Sequence, residues 1–447
     1  PLGLPGDHRF NVVLISLDSL RADHVGCYGY YRDTTPALDH FAAEGIRFAN
    51  AISTSSWTLP THLTMFTGRY QLSHGVVEDT MTLGPPVPTL PEVLKRQGYV
   101  TAGFVSGPYL AARYGYARGM DSYEDISARY SHRREARSAI VAPEVTEKAL
   151  DWLDGHAQDR FFLFIHYFDI HYDYIPPPPY DSMFDPDYTG SVDGTNFIER
   201  ADVNPKMKRR DLEHIVALYD GEIRFTDDHV AQVLERIDRL GLRDNTLVII
   251  VSDHGDEFFE HGNKGHHRTV YDEVLRIPLL MRLPKGIGRG SVVGDQVSLV
   301  DLMPTILDIL GIESPQGVEG VSLLPLVRGR PIDRDAIYAE FFDKRGFNLQ
   351  VARRTPERKT IEHFNRLMHP RRRPIEVYDI ARDPGEQHDL AAEPDEDVRA
   401  EITQLGQWLE RRWRINRQVE RASHGANRVE IDAETMQRLK SLGYVGD

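Results

Sequence analysis

The sequence is poor in cysteine, in long apolar runs and in basic residues. Cys27 is the only cysteine among 447 residues, so no disulfide can form within the chain. No apolar run approaches the ~18 residues that span a bilayer, which argues against a membrane segment in this chain. Lys and Arg number 53 against 68 Asp and Glu, giving a net charge of −15. That balance argues against a nucleic-acid partner, because lysine and arginine hold phosphate backbones.

The same absences leave the compartment and the oligomeric state open. A single cysteine says nothing about the redox compartment. The opening PLGLPGDHRF lacks methionine and is typical of a processed end. We therefore expect a soluble protein, either cytoplasmic or periplasmic or secreted after processing. A homo-oligomer stays an open option.

What the sequence does contain is ordinary globular material arranged in alternating strands and helices. It is 40% hydrophobic and 27% charged. The runs NVVLISL (11–17), FFLFIHY (161–167) and TLVIIVS (246–252) are typical of strands buried on both faces of a sheet. Segments such as TTPALDHFAAEG (34–45) predict helices with a proline near the start and a glycine at the end.

This alternation predicts an α/β domain over residues 8–335, built on a central mixed, mostly parallel sheet with helices on both faces. After about residue 335 the composition changes. The segments AIYAEFF, FNLQVARR and IEVYDIARDP predict short strands, and residues 395–418 predict one long helix. We therefore expect residues 336–447 to form a smaller α+β subdomain.

Polar residues follow two of the buried strands. Asp18 comes after the first, and Asp253 with His254 comes after another. Open α/β sheets bind ligands at the carboxyl ends of their strands, and Thr58 begins a third predicted element. Two carboxylates, an imidazole and a hydroxyl suit Mn²⁺ or Zn²⁺ better than Mg²⁺. The alternative is that the two aspartates and Thr58 only cap the helices that follow them.

Several histidines lie near the same predicted strand ends. His166 and His171 flank the turn after a buried strand, and His266 and His267 follow the Asp253–His254 segment. Single histidines are usually solvated or structural. A group of them at strand ends indicates oxyanion binding or protonation of a leaving group.

These segments together resemble the sulfatase branch of the alkaline phosphatase superfamily over nearly the whole chain. TLPTHLTMFTGR (58–69) matches the spacing of the family signature C-x-P-S-R-x-x-x-x-T-G-R. NVVLISLDSLRADHVGCYGY, VIIVSDHGDEFFEHG and EVYDIARDPGEQHDLA are similar to further family blocks. The resemblance implies an alkaline-phosphatase-like fold.

The departures from the family pattern bear on the chemistry. A sulfatase oxidises its motif cysteine or serine to formylglycine, but this chain has Thr58 there, and oxidising a threonine would give a methyl ketone that hydrates poorly. Other family positions are also changed: His62 replaces the motif arginine, Ser19 an aspartate, His254 an asparagine, and His266 with His267 a lysine.

This altered set resembles the threonine-nucleophile phosphohydrolases and phosphotransferases of the same superfamily. The resemblance implies Asp18, Thr58, Asp253 and His254 as ligands of one divalent ion, Mn²⁺ or Zn²⁺, with Ca²⁺ ranked below them and a second metal left open. It implies Thr58 as nucleophile and His171 and His266 as further catalytic residues. His62, His166 and His267 are the predicted substrate contacts.

We therefore expect a metal-dependent hydrolase of phosphodiesters or phosphonate monoesters, acting on a small anionic ester. A metal-activated threonine hydroxyl attacks phosphorus in this reaction. Three alternatives remain: hydrolysis of sulfate esters, transfer of a phosphoryl-linked group to a glycan or alcohol, and a catalytically dead relative that only binds ligands.

Overall fold

The computed structural model describes residues 10–126, 140–342, 348–365, 374–391, 395–423 and 428. The opening segment discussed above and the last 19 residues of the predicted smaller subdomain lie outside these ranges. No helix among the described residues is both long and apolar enough to cross a membrane.

In the described part of the chain, ten strands precede the smaller subdomain. They are β1 (Asn11–Leu17), β2 (Ile46–Ile52), β3 (Val100–Val105), β4 (Ser122–Asp125), β5 (Phe161–Tyr167), β6 (Thr246–Ser252), β7 (Glu257–Phe258), β8 (Lys264–Gly265), β9 (Arg276–Arg282) and β10 (Ser291–Ser298). Strands β7 and β8 pair with each other, and the other eight form one sheet in the order β10-β2-β9-β6-β1-β5-β3-β4. Only β9 runs antiparallel to its neighbours, so the sheet is mixed and mostly parallel, as the sequence predicts.

The described residues form ten α-helices, nine of them before the smaller sheet and α10 after it. They are α1 (Pro36–Glu44), α2 (Thr58–Thr67), α3 (Gln71–His74), α4 (Leu90–Arg96), α5 (Ala142–His156), α6 (Arg209–Arg239), α7 (Asp272–Leu275), α8 (Leu302–Ile309), α9 (Leu324–Val327) and α10 (Glu396–Ala422). Helix α4 begins at a capping box, in which Thr89 accepts from the Glu92 backbone N–H and Glu92 accepts from that of Thr89.

The sheet separates two hydrophobic cores because successive side chains of a strand point to opposite faces. On β1, Val12 and Leu14 pack in one core, whereas Val13 and Ile15 pack in the other. The first core includes α2 and α8, and the second includes α5 and α6. Burial on both faces explains why the central strands read as continuous apolar runs.

A second, antiparallel sheet lies C-terminal to the first. Its strands are β11 (Ile337–Phe342), β12 (Asn348–Arg354), β13 (Arg358–Asn365) and β14 (Ile375–Asp379), in that order. The sequence predicted three of them and missed β13, whose segment RKTIEHFN holds four charged or histidine side chains. The pairing with β12 and β14, rather than the local apolar pattern, makes this segment a strand.

The second sheet is joined to the main domain by buried charges. Lys359 of β13 is fully buried, and its Nζ lies 3.0 Å from Oδ1 of Asp272 and 2.8 Å from Oε1 of Glu386. Asp272 begins α7 of the main domain, and it also pairs with Arg354 of β12. These contacts fix the smaller sheet against α7, which follows the segment that carries His266 and His267.

Candidate active site

The central strands place the predicted acids at one edge of the sheet. Strands β5 and β6 both run parallel to β1, with Ser16 opposite His166 and Leu17 opposite Ser252. Because the three strands end at the same level, Asp18 and Asp253 emerge side by side. Both carboxylates are fully buried.

Thr58 joins this pair from helix α2. It is the first residue of the helix, and the cap position is taken by Trp57, which makes no side-chain capping bond. Oγ1 of Thr58 lies 3.4 Å from Oδ2 of Asp18 and 3.4 Å from Nε2 of His254. The hydroxyl therefore faces the acids and the imidazole, and the capping alternative does not describe it.

The donor atoms fit a divalent ion. Asp18, Asp253 and His254 each offer one ligand atom, and these atoms all lie within 4.8 Å of one another. Nε2 of His254 is also 3.3 Å from Oδ2 of Asp253. Tetrahedral ligands bound at about 2.1 Å are themselves about 3.4 Å apart, which is close to the separations found here. The Nδ1–H of His254 donates to the carbonyl of Gly255 at 3.0 Å, which directs Nε2 to the site.

The hydrogen bonds of the two aspartates leave room for such an ion. Oδ1 of Asp253 accepts from the backbone N–H groups of Ser19 and His254. Oδ2 of Asp253 is buried and has no hydrogen-bond donor in the described part of the chain. A buried carboxylate oxygen without a partner is costly, and a cation would satisfy it.

The pKa shifts of Asp18 and Asp253 also indicate a site for a cation. Burial raises the pKa of Asp18, but a contact with His166 and the charges of His171 and His254 outweigh it and hold that pKa well below its usual range. Burial, followed by the charge of Asp18, raises the pKa of Asp253 well above its usual range. The site therefore disfavours the ionisation of both close carboxylates together, and a divalent ion would allow both to ionise.

Ser19 connects the two carboxylates. Its backbone N–H donates to Asp253 at 3.2 Å, and its Oγ donates to Oδ1 of Asp18 at 2.8 Å. The backbone there is left-handed, with φ of 55°. A non-glycine residue in this region is held by its surroundings, here by the two acids.

His62 and His166 lie beneath Thr58. The carbonyl of Thr58 can only accept, so Nδ1 of His62 donates to it at 2.9 Å, and Oγ of Ser16 donates to Nε2 at 2.8 Å. Burial, and next the nearby His166, lower the pKa of His62 to about 3, so the ring is neutral. Nε2 of His166 is 3.3 Å from Oδ2 of Asp18. Both rings are fully buried.

The remaining predicted histidines form the opposite wall. The ring of His266 lies 4.3 Å from that of His254 and 4.8 Å from that of His171, measured between centroids. Burial, and then the neighbouring His266, lower the pKa of His171 to about 3. His267 is half-buried and stacks on Trp57 at 4.5 Å. The fold thus brings every predicted site residue to this edge of the sheet.

Two residues of the site were missed from the sequence, Asp256 and Tyr174. Oδ1 of Asp256 lies 2.6 Å from Nδ1 of His266, and Oδ2 accepts from the hydroxyl of Tyr174 at 2.6 Å. The acid three residues after Asp253 was a signal for the first. Tyr174 lies in a proline-rich segment with no local pattern that points to the site.

A separate cleft lies elsewhere, and none of the predicted site residues lines it. It has a volume of about 910 Å³ and lies between the β2–β10 edge of the main sheet and the smaller subdomain. Its arginines 21, 334 and 354 are held in ion pairs with acids. The cleft therefore resembles a solvated junction between the two sheets.

A mostly parallel sheet with acids, histidine and threonine gathered at its carboxyl edge defines a hydrolase of the alkaline phosphatase superfamily. Within that superfamily the chain belongs to the sulfatase family, whose sequence model matches residues 10–312. A second family model, for the C-terminal part of N-sulphoglucosamine sulphohydrolase, matches residues 260–412. The enzymes of this family use a divalent metal, and the residues described above fit one.

Relatives of known name have different activities. The chain is 23% identical to an N-acetylglucosamine-6-O-sulfatase of Bacteroides thetaiotaomicron, over 86% of this chain and 82% of that protein. It is 27% identical to the multifunctional alkaline phosphatase superfamily protein PehA of Trinickia caryophylli, over 86% of this chain and 92% of that protein. A phosphonate monoester hydrolase of Agrobacterium radiobacter has the same fold, with a TM-score of 0.72, 22% identity and coverage of 92% and 96%.

Proposed function

We propose that this enzyme hydrolyses phosphodiesters or phosphonate monoesters through a covalent intermediate on Thr58. The observation that carries the proposal is the position of the Thr58 hydroxyl, 3.4 Å from both Asp18 and His254 at the signature position of the family. A threonine there cannot become the aldehyde that the formylglycine mechanism needs. The hydroxyl itself is the available nucleophile.

A divalent ion held by Asp18, Thr58, Asp253 and His254 would lower the pKa of the hydroxyl and offset charge on a substrate oxygen. We assign Mn²⁺ or Zn²⁺ on the mixed oxygen and nitrogen donor set. The near-tetrahedral separations favour Zn²⁺.

The surrounding residues divide into two groups in this proposal. His62 holds the carbonyl of Thr58, and His166 lies against Asp18, so both support the nucleophile from below. His171 and His266 contact the transferred group, and His267 borders the substrate. Oxygen Oγ1 attacks phosphorus, the leaving group departs, and water then hydrolyses the threonine ester, which is a phosphonate ester or a phosphodiester according to the substrate.

Hydrolysis of sulfate esters is the second candidate, because several named relatives are sulfatases. A sulfate monoester carries less negative charge at the reacting group than a phosphate monoester does. A monoanionic phosphodiester or phosphonate resembles it in charge, so one site can accept both classes. We rank sulfate second because the family's usual sulfatase nucleophile is replaced here.

The test is a panel of p-nitrophenyl esters: a phosphomonoester, a phosphodiester, a phenylphosphonate and a sulfate. Each is assayed with metal-stripped protein and with protein loaded with Mn²⁺ or Zn²⁺. We expect the phosphonate and the diester to have the highest kcat/KM, and activity to require metal. Thr58→Ser should retain measurable turnover, whereas Thr58→Ala should lose about 10³-fold or more.

Mass spectrometry of the quenched reaction should show a peptide in which Thr58 carries the transferred group, a phenylphosphonyl group from the phosphonate or a phosphoryl group that keeps its second ester from the diester. An alanine variant as active as the parent would reject the nucleophile. A sulfate ester turned over fastest would select the second candidate. Product formed only when a sugar or glycerol acceptor is added would instead indicate a transferase.

A further inference from the structure

Strand β11 of the smaller sheet binds the segment that leads to Thr58. The backbone N–H of Glu340 donates to the carbonyl of Thr54 at 2.9 Å, and Oγ of Ser55 donates to the carbonyl of Glu340 at 2.6 Å. Glu340, Thr54 and Ser55 are all buried. The smaller sheet therefore holds the chain a few residues before helix α2, which carries Thr58 as its first residue.

The side chain of Glu340 binds the helix that comes after α2. Its Oε2 accepts from the backbone N–H of Leu72 in α3 at 2.9 Å. Residues 68–70 join α2 to α3, and the two helices lie against each other. Glu340 therefore holds the chain on both sides of α2, and a displacement of either segment would move the Thr58 hydroxyl.

The carboxyl of Glu340 lies in otherwise apolar surroundings. Side chains alternate along a strand, so Glu340 shares a face of β11 with Tyr338 and Phe342, and Tyr338 stacks on Trp408 of α10. Glu340 is fully buried, and burial raises the pKa of its carboxyl to about 8. Its Oε1 has no hydrogen-bond partner within the ranges that the structure describes. An apolar side chain would leave no oxygen unpaired, so packing alone does not explain a carboxyl here.

We infer that Glu340 is a positioning residue for the nucleophile, because it holds residues 54–55 and α3 so that the Thr58 hydroxyl faces the proposed metal ligands. The inference rests on the proposed function, since it takes Thr58 as the attacking group. A displacement of about 1 Å at a reacting group can slow a reaction by about 100-fold. None of the hydrogen bonds between Glu340 and the described residues involves a proposed metal ligand, so its effect is on the position of Thr58.

Positioning predicts a particular kinetic result. A displaced Thr58 hydroxyl slows its own attack on phosphorus, which is the first chemical step. Binding of the substrate and of the metal uses other groups, so the affinity for both should stay unchanged. A general loss of structure would instead change the rate and both affinities together. A single-turnover experiment separates these cases because it measures the first chemical step and substrate binding independently.

The test is single-turnover release of p-nitrophenol from p-nitrophenyl phenylphosphonate by the metal-loaded full chain. The variants are Glu340→Ala, Glu340→Gln and Ser55→Ala. Glu386→Ala is the matched control, because Glu386 is another buried glutamate between the two sheets, with a pKa raised by burial to about 7. It accepts from the backbone N–H of Asp272 at 2.6 Å instead. Metal affinity and Tm are measured for every variant.

We expect Glu340→Ala to lower the single-turnover rate constant by about 30- to 100-fold, and to change the substrate concentration at half-maximal rate by less than about 2-fold. Ser55→Ala should lower the rate constant by about 3- to 10-fold. Glu340→Gln should stay within about 5-fold of the parent, because its amide oxygen can accept from the same N–H of Leu72. Glu386→Ala should stay within about 2-fold even where its Tm falls as far as that of Glu340→Ala.

A rate constant for Glu340→Ala within about 2-fold of the parent would overturn the inference. An equal loss in Glu386→Ala, or a loss of metal affinity in Glu340→Ala, would also overturn it, since either indicates a general structural defect. If Glu340→Ala does not fold, Ser55→Ala decides, and an unchanged rate constant there rejects the inference. All these outcomes leave the Thr58 mechanism in place. A parent that cleaves none of the esters, or a fully active Thr58→Ala, would instead reject the proposed function and this inference with it.

Discussion

Replacing Asp253 by asparagine tests the metal centre without relying on any substrate. The metal-free protein should tolerate the change, because burial and then the charge of Asp18 raise the pKa of Asp253 well above its usual range, so the site favours an uncharged group there. An asparagine amide is similar in size and charge to a neutral carboxyl. We therefore expect the Tm of the metal-free variant to lie within about 2 °C of the parent.

Metal should distinguish the two proteins. At a free metal concentration of 100 times Kd, binding stabilises the native state by about 2.7 kcal/mol. Unfolding entropy of about 2.1 cal/mol/K per residue over 447 residues amounts to about 0.9 kcal/mol/K, so the parent should gain about 3 °C in Tm. The asparagine variant loses the unpaired Oδ2 that faces His254 and should gain less than about 1 °C.

The assay is differential scanning calorimetry with chelator and then with increasing Mn²⁺ or Zn²⁺. Asp227→Asn is the control, since Asp227 is also a buried acid, with a pKa raised by burial to about 7, but binds the backbone at the start of α1. Asp227→Asn should have a lower Tm than the parent, but its Tm should rise on metal addition by as much as that of the parent. A full increase in Asp253→Asn would refute the assignment of that ligand.

Three further predictions concern stability. Lys359→Met should lower the free energy of unfolding by about 3 to 5 kcal/mol, because it leaves Glu386 buried without its cation and Asp272 with Arg354 alone; chemical denaturation measures this. Burial lowers the pKa of His74 to about 3, below the ordinary value of 6.5. The stability that the neutral, buried His74 contributes is therefore fully present above pH 6.5 and is lost as the pH falls from there toward 3. Between pH 7 and pH 4.5, the free energy of unfolding of His74→Gln should therefore fall by about 2 kcal/mol less than that of the parent. Thr89→Ala should cost about 1 kcal/mol in thermal unfolding, through loss of the capping box of α4.

Each of these has a contrary outcome. An unchanged denaturation midpoint for Lys359→Met would mean that the pair of acids is neutral or hydrated. If the free energy of unfolding depends on pH in the same way for the parent and His74→Gln, His74 is not the titrating group. His388→Gln is the control, because the His388 side chain is exposed. A loss under about 0.3 kcal/mol for Thr89→Ala would make the capping box irrelevant to stability.

Much of the site could be read from the sequence because it lies where regular structure begins or ends. Asp18 and Asp253 follow apolar runs that have only one plausible structure, a strand buried on both faces. Thr58 begins a helix marked by Pro60 in its first turn. The ends of adjacent parallel strands lie at one edge of the sheet, so these positions imply that the residues meet.

The roles of the histidines and of Asp256 were not readable in this way. Whether a histidine holds the backbone, as His62 does, or faces the substrate depends on which atoms surround its two ring nitrogens. Those atoms come from other elements of the fold, such as Ser16, 46 positions before His62, and Asp256, 10 positions before His266. Strand β13 was not predicted for a similar reason: it is a strand because it pairs with β12 and β14, not because of its own apolar pattern.

The sequence by itself determined the family and most of the strand-and-helix order, and it supplied the residues that we propose as nucleophile and metal ligands, since local apolar pattern and motif spacing encode them. Only the tertiary structure decided which histidine supports the backbone, which acid positions which ring, and how the second sheet is fixed to the first. Those properties depend on hydrogen bonds and charge pairs between residues as much as 87 positions apart, whose strength comes from shared burial.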